Sequence, residues 1–116
     1  MSEDITVSYD DFKKLDIRVG LVLEAEDLEK SDHLLRLKVD IGEKHPRQII
    51  AGLKGYYHPK RLVNRKVIVL ANLQPRKMMG LESQGMLLAA DVDDAPFLLR
   101  LPKEDVDRIP PGTPIL

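Results

Sequence analysis

In Leu35-Arg36-Leu37-Lys38-Val39-Asp40-Ile41, apolar and polar residues alternate without interruption, and Gly42 ends the run. Successive side chains of a strand point to opposite faces, so the aliphatic residues line a core while Arg36, Lys38 and Asp40 face solvent or a ligand. The same period extends outward. Upstream, Ile17, Val19, Leu21 and Leu23 alternate with Arg18, Gly20, Val22 and Glu24, which predicts a long first strand with one buried face. Downstream, Arg47 to Ala51 predicts a third strand stopped by Gly52. Lys66-Val67-Ile68-Val69-Leu70-Ala71 is β-branched and nearly all apolar, as in a central or barrel strand. Gly85 to Ala90 and Phe97 to Leu101 predict a fifth strand and a short sixth.

Helix signals are short. Ser8-Tyr9-Asp10-Asp11 has the outline of a capping box ahead of Phe12 and Leu15. His58-Pro59-Lys60-Arg61-Leu62 puts proline at a first helical position between the third and fourth strands. Lys103 to Asp107 fits a single turn, and Pro110-Pro111-Gly112-Thr113-Pro114 a turn-rich tail. This order predicts an all-β fold, a five-stranded OB-fold barrel of Greek-key type. An SH3-like barrel or a small sandwich is the competing architecture. The expected organisation is one domain over residues 1–116, with a short helix at about 9–14, the barrel at about 16–91 and a C-terminal extension at about 92–116.

Composition removes several functional classes. The chain has 116 residues, 43% hydrophobic and 32% charged, as in a globular domain rather than a disordered one. It has no cysteine, hence no disulfide, thiolate zinc site or cysteine nucleophile. His33, His45 and His58 lack local metal-ligand spacing, and no glycine-rich phosphate loop is present. No catalytic residue, metal or cofactor is therefore expected. The absence of an apolar run of ~18 residues argues against a membrane span. The acidic start, Met1-Ser2-Glu3-Asp4, is the wrong chemistry for a leader, and with the absence of cysteine it suits a cytoplasmic location; the initiator-like Met1 and the closing strand pattern lean toward a free-standing chain, with a separate subunit or an excised domain as the alternatives.

The net charge of −1 conceals a segregation of sign. Residues 1–32 hold ten acids and four bases; residues 82–116 hold seven acids and three bases. Between them, residues 44–81 hold nine bases (Lys44, Arg47, Lys54, Lys60, Arg61, Arg65, Lys66, Arg76 and Lys77) and no acid. Such a block suits a polyanion. It equally suits a basic middle that pairs with acidic ends inside the fold.

Asn72-Leu73-Gln74-Pro75-Arg76-Lys77-Met78-Met79-Gly80-Leu81-Glu82-Ser83-Gln84-Gly85-Met86 leaves an apolar strand, turns at Pro75, presents two cations, turns at Gly80 and re-enters a strand. Arg76 and Lys77 at a loop tip suit phosphate contacts. Ser83 brings a short hydroxyl, Gly85 permits close backbone approach, and Met86 brings a polarisable surface for a base or sugar. Taken bare, the segment fits a basic hairpin loop with Met86 in the core equally well. Tyr56 and Tyr57 lie among basic residues, where exposed aromatics stack bases. One covering a barrel end and the other half exposed is the simpler arrangement.

These residues also resemble a family. Lys14-Leu15-Asp16-Ile17-Arg18-Val19-Gly20, Ser31-Asp32-His33-Leu34-Leu35, Arg47-Gln48-Ile49-Ile50-Ala51-Gly52-Leu53, Asn72-Leu73-Gln74-Pro75-Arg76-Lys77 and Ser83-Gln84-Gly85-Met86 recur in order. Together they look like the tRNA-binding domain of methionyl-tRNA synthetases, stand-alone structure-specific tRNA-binding proteins and EMAP II-like precursors. The resemblance implies a non-catalytic OB-fold that recognises tRNA by shape and backbone, usually as a homodimer, and a possible association with methionyl-tRNA synthetase. Its motifs carry over onto Asn72, Arg76, Lys77, Ser83, Gly85 and Met86. A further segment falls on Lys30-Ser31-Asp32-His33-Leu34, where His33 replaces the usual lysine and should contribute more below about pH 6.5. Arg36, Lys38 and Lys54 join the expected phosphate contacts. The helix bearing Tyr9 and Phe12, and the tail beyond Phe97, are candidates for a dimer interface or simply for barrel-end plugs. The CsaA-like branch, which binds peptides on the same dimeric barrel, is the alternative; Ser83-Gln84-Gly85-Met86 follows the tRNA-binding form.

Overall fold

Alternate apolar residues on four strands converge on one interior. The computed structural model describes residues 5–116. Its elements are α1 (Tyr9–Lys13), β1 (Ile17–Asp27), β2 (Leu35–Asp40), β3 (Arg47–Ala51), α2 (Pro59–Leu62), β4 (Lys66–Leu70), β5 (Arg76–Met78), β6 (Leu81–Ser83), β7 (Met86–Leu87), β8 (Ala89–Val92) and β9 (Ala95–Leu98), with a 3₁₀ turn at Val106–Arg108. An antiparallel sheet in the order β3-β2-β1-β4-β7 curls into a nearly closed five-stranded barrel, and β5-β6 and β8-β9 form separate hairpins. Val19, Val22, Leu35, Leu37, Val39, Ile41, Ile49, Val67 and Val69 are fully buried or nearly so. From α2, capped by His58 and begun by Pro59, Leu62 joins the same core.

Two departures from strict alternation have local causes. A bulge between Val22 and Glu24 shifts the register of β1 against β2. Val22 thereby turns inward and Leu23, expected in the core, is exposed. The expected fifth strand is split at Leu88. There the chain still donates to the Ile68 carbonyl (2.9 Å) while its own carbonyl accepts from Leu99 N–H (3.2 Å), so it passes from the barrel into the β8-β9 hairpin. Asp93 and Asp94, both at positive φ, make the turn of that hairpin.

The C-terminal tail extends the barrel. The half of β1 that β2 leaves uncovered exchanges bonds with it: Gly112 N–H to the Val19 carbonyl (2.7 Å), Val19 N–H to the Thr113 carbonyl (2.9 Å), and Ile115 N–H to the Ile17 carbonyl (2.8 Å). Beside this ladder, Arg18 grips Asp16 with two bonds (2.9 and 2.8 Å), and Arg47 grips Glu43 in the same bidentate manner (2.8 Å each). Arg47 also donates to the carbonyls of Ala71 and Gln84, tying β3 to the end of β4 and to the segment before β7.

Hydrogen bonding from Arg18 and Arg47 holds the carboxyls of Asp16 and Glu43 below the usual carboxylate range. A carboxyl that titrates lower in the folded chain than in the unfolded one stabilises the fold above its unfolded value and stops doing so as pH falls through the folded one. The urea midpoint should hold above about pH 5 and fall through pH 4 and below. In the variant Asp16→Asn/Glu43→Gln that acid limb should flatten; an equally steep limb contradicts the role given to the pair.

Candidate functional site

The segment after β4 folds as a hairpin rather than as a cationic loop. Met79 (φ 54°) and Gly80 (φ 78°) take the left-handed conformations that a two-residue turn demands. Arg76 and Lys77, expected at a loop tip, therefore sit on β5, opposite Ser83 and Glu82 respectively. Alternation sends them to different sides. Arg76 and Met78 line a groove of about 250 Å³, together with Ser83, Gly85 and Met86. Lys77 does not line it; it is exposed, and Glu82 across the ladder closes no ion pair with it. No carboxylate lines the groove among the described residues, whereas Leu53, Leu73, Leu87 and Leu98 give it an apolar floor.

Ser83-Gln84-Gly85 closes the barrel seam. The buried Ser83 hydroxyl accepts from Ile50 N–H (3.0 Å) and donates to the Gly85 carbonyl (3.1 Å). The Gln84 side chain accepts from Gln48 N–H (2.9 Å), and Gln84 N–H donates to the Gln48 carbonyl (2.8 Å). These bonds satisfy the edge of β3, which has no full ladder partner on that side. Gly85 has φ +144°, and a Cβ there would lie 3.2 Å from the Leu70 carbonyl oxygen. Met86, 42% exposed, is thus delivered to the groove by two residues spent on the seam. Ser83→Ala would strand the buried Ile50 N–H and cost about 1–2 kcal/mol. A thermal scan should show a lower midpoint for this variant; an unchanged midpoint contradicts the seam.

Several other expected contact residues have internal partners. Asn72 accepts from Asp16 N–H (2.8 Å) and donates to the Lys14 carbonyl (2.6 Å), clipping the end of β4 to the segment before β1. The Lys54 ammonium donates to the carbonyls of Leu28 (3.0 Å) and Ser31 (2.8 Å). Arg36 binds Gln48 (2.6 Å) and Glu26 (2.8 Å), and half-buried Lys38 shares a small pocket with Glu24 and Glu26. His33 is exposed on the β1-β2 connection, its backbone held by Ser31. Tyr57 is half-buried, its hydroxyl accepting from Leu98 N–H (3.0 Å), while Tyr56 is exposed.

The acid-free stretch is not neutralised by the acidic ends. Among the described residues, of its nine cations only Arg47 has a carboxylate within 4.0 Å. Arg47, Lys54 and Lys66 spend their donors on backbone carbonyls. The other six divide in space, with Arg76 and Lys77 on the β5-β6 hairpin, Arg61 and Arg65 around the α2-β4 connection, and Lys44 and Lys60 exposed on the β2-β3 turn and on α2. The described helices include none long and apolar enough to cross a membrane.

Comparison with known proteins gives the family and the fold. A family model described as a putative tRNA binding domain matches residues 17–113. A methionine–tRNA ligase of Methanosarcina mazei is 53% identical over 100 residues, which are 86% of this chain and 14% of that protein. The chain thus spans about one seventh of such curated relatives. A MetRS-related protein from Pyrococcus horikoshii superposes with a TM-score of 0.85 at 34% identity, covering 97% of this chain and 99% of that one. The chaperone CsaA of Bacillus anthracis superposes at 0.83 with 27% identity, over 97% and 100% of the two chains.

Proposed function

The chain belongs to the tRNA-binding domain family, and from that premise we propose that it binds tRNA through the β5-β6 hairpin and the adjoining groove, as a non-catalytic module. The observation that carries this reading is the placement of Arg76 and Lys77. Among the described residues they stand unpaired on the hairpin, beside a groove that no carboxylate lines and that presents Met86. Arg76 at the rim makes a forked phosphate contact, and Lys77 on the other side of the strand engages a neighbouring phosphate as a point charge. Met86 and the leucine floor receive a base or a ribose. Ser83, Gly85 and Asn72 position this surface, while Lys54 holds the β1-β2 connection, from whose side His33, Arg36 and Lys38 contribute. With few exposed aromatics, backbone and shape recognition of folded RNA fits better than stacking along a single strand.

The protein works in the cytoplasm beside, or as part of, a methionyl-tRNA synthetase. It does so as a homodimer. Support for pairing comes from apolar side chains left in solvent, Tyr9 (73% exposed) on α1 and Val92 (53%) and Phe97 (55%) on β8-β9. Light scattering should give twice the chain mass for the intact protein and the chain mass after substitution of Phe97 and Val92 by serine; a monomeric intact chain contradicts the dimer.

The leucine-rich floor of the groove favours one competing reading, capture of an extended peptide, in line with the CsaA superposition. A gel shift with total tRNA, challenged by excess unfolded polypeptide, separates the two. Retention of the tRNA complex is expected; displacement by polypeptide, or no complex, rejects the RNA reading.

A further inference from the structure

A second basic groove lies away from the hairpin and shares no residue with the first. It occupies about 510 Å³ between the α2-β4 connection and the C-terminal extension, and Arg61, Arg65, Lys66, Arg100 and Lys103 line it with a single carboxylate, Asp107. Among the described residues none of the five cations has a carboxylate within 4.0 Å. In a chain of net charge −1, such a gathering of like charge is unfavourable by itself and marks a face built for a polyanion.

The groove is held open by internal contacts. The Lys66 ammonium is spent on the carbonyls of Val106 and Ile109, which fastens the extension beside β4 and fixes one wall. Arg65 lies 5.3 Å from the centre of the Tyr57 ring, and among the described residues its buried Nε has no acceptor. Arg61, Arg100 and Lys103 are exposed along the rim. Arg61 and Arg65 also line an adjoining groove of about 480 Å³ with Tyr56, Tyr57 and His58. Forked guanidiniums alternating with an exposed aromatic suit a sugar–phosphate chain that runs from one groove into the next.

We infer that this α2–C-terminal groove is a second contact surface for the RNA backbone, with Arg61, Arg65, Arg100 and Lys103 as phosphate ligands and Lys66 as a positioning residue. The inference rests on the tRNA-binding reading and extends the footprint beyond the hairpin.

The test is a titration of total tRNA against the intact chain over a tenfold range of salt. Arg61→Gln/Arg100→Gln/Lys103→Gln should bind about 250-fold more weakly at ~0.1 M salt, with a salt slope shallower by about 2.4. Arg61→Lys/Arg100→Lys, which keeps the charge, should retain the wild-type slope and reports that substitution alone does not damage the fold. If the glutamine variant matches wild type in affinity and slope while the hairpin variant Arg76→Gln/Lys77→Gln is weakened, the second groove is not an RNA surface and the hairpin reading survives. Wild-type protein with no tRNA affinity overturns both. A glutamine variant that keeps tRNA but loses binding of polyglutamate makes the groove a site for acidic peptides and overturns the inference.

Discussion

Arg76→Gln/Lys77→Gln should bind tRNA about fortyfold more weakly than wild type at ~0.1 M salt, with a salt slope shallower by about 1.6, because two phosphate contacts no longer release counterions. Both side chains are exposed, and neither enters an ion pair or a side-chain hydrogen bond among the described residues, so thermal stability should be unchanged. The single variants divide the effect. Lys77→Gln removes a charge that lies outside the groove, so its loss should be purely salt-dependent. Arg76→Gln also alters a groove wall and should keep part of its loss at high salt. Met86→Ala should weaken binding without changing the slope. Equal slopes for wild type and the double variant would mean that the hairpin does not touch phosphate.

Gly20→Val should destabilise the fold by about 3 kcal/mol or more, the upper end of what overpacking costs. Gly20 is buried on β1, and a Cβ there would lie 2.6 Å from Val39 Cγ1 and 2.9 Å from Val69 Cγ2. Both neighbours are β-branched residues of the core, stiff at χ1, and sit on the strands flanking β1. Neither can give way without moving its strand. With an unfolding entropy of about 2.1 cal/mol/K per residue, 116 residues convert that loss into a thermal midpoint lower by about 12 °C. Gly20→Ala brings the same Cβ without the two γ-methyls and should fall by less. A midpoint unchanged by valine would contradict the packing described for the barrel centre.

Both predictions depend on features of different legibility. The strands β1 to β4 could be read because barrel strands bury one face, and alternation in 35–41 or an apolar run in 66–71 records that burial directly. The bulge at Val22–Glu24 leaves no compositional mark, and strict alternation therefore puts Leu23 on the wrong face. In 72–86 the pattern leaves a cationic loop and a basic hairpin equally open, because Arg76-Lys77-Met78 and Leu81-Glu82-Ser83 are too short and polar to alternate, and Met79-Gly80 is a weaker turn signal than Asn-Gly. The charge block was legible as a block, but not which cations it frees. Lys54 meets carbonyls 23 and 26 residues away, and Lys66 meets carbonyls 40 and 43 residues away, distances at which only the folded chain discloses a partner. Ser83 shows the same limit. Its hydroxyl, which suits a ligand by chemistry, is consumed by Ile50 N–H 33 residues back, and the motif serves the groove through Met86 instead.

The most direct test of the account is the salt dependence of tRNA binding by the unmodified chain, measured at equilibrium over a tenfold range of concentration. With roughly 6 phosphate contacts the affinity should fall by about five decades along a straight line in log–log coordinates. Binding that is absent, or that changes by less than about one decade over the same range, would contradict recognition of the RNA backbone by these cations.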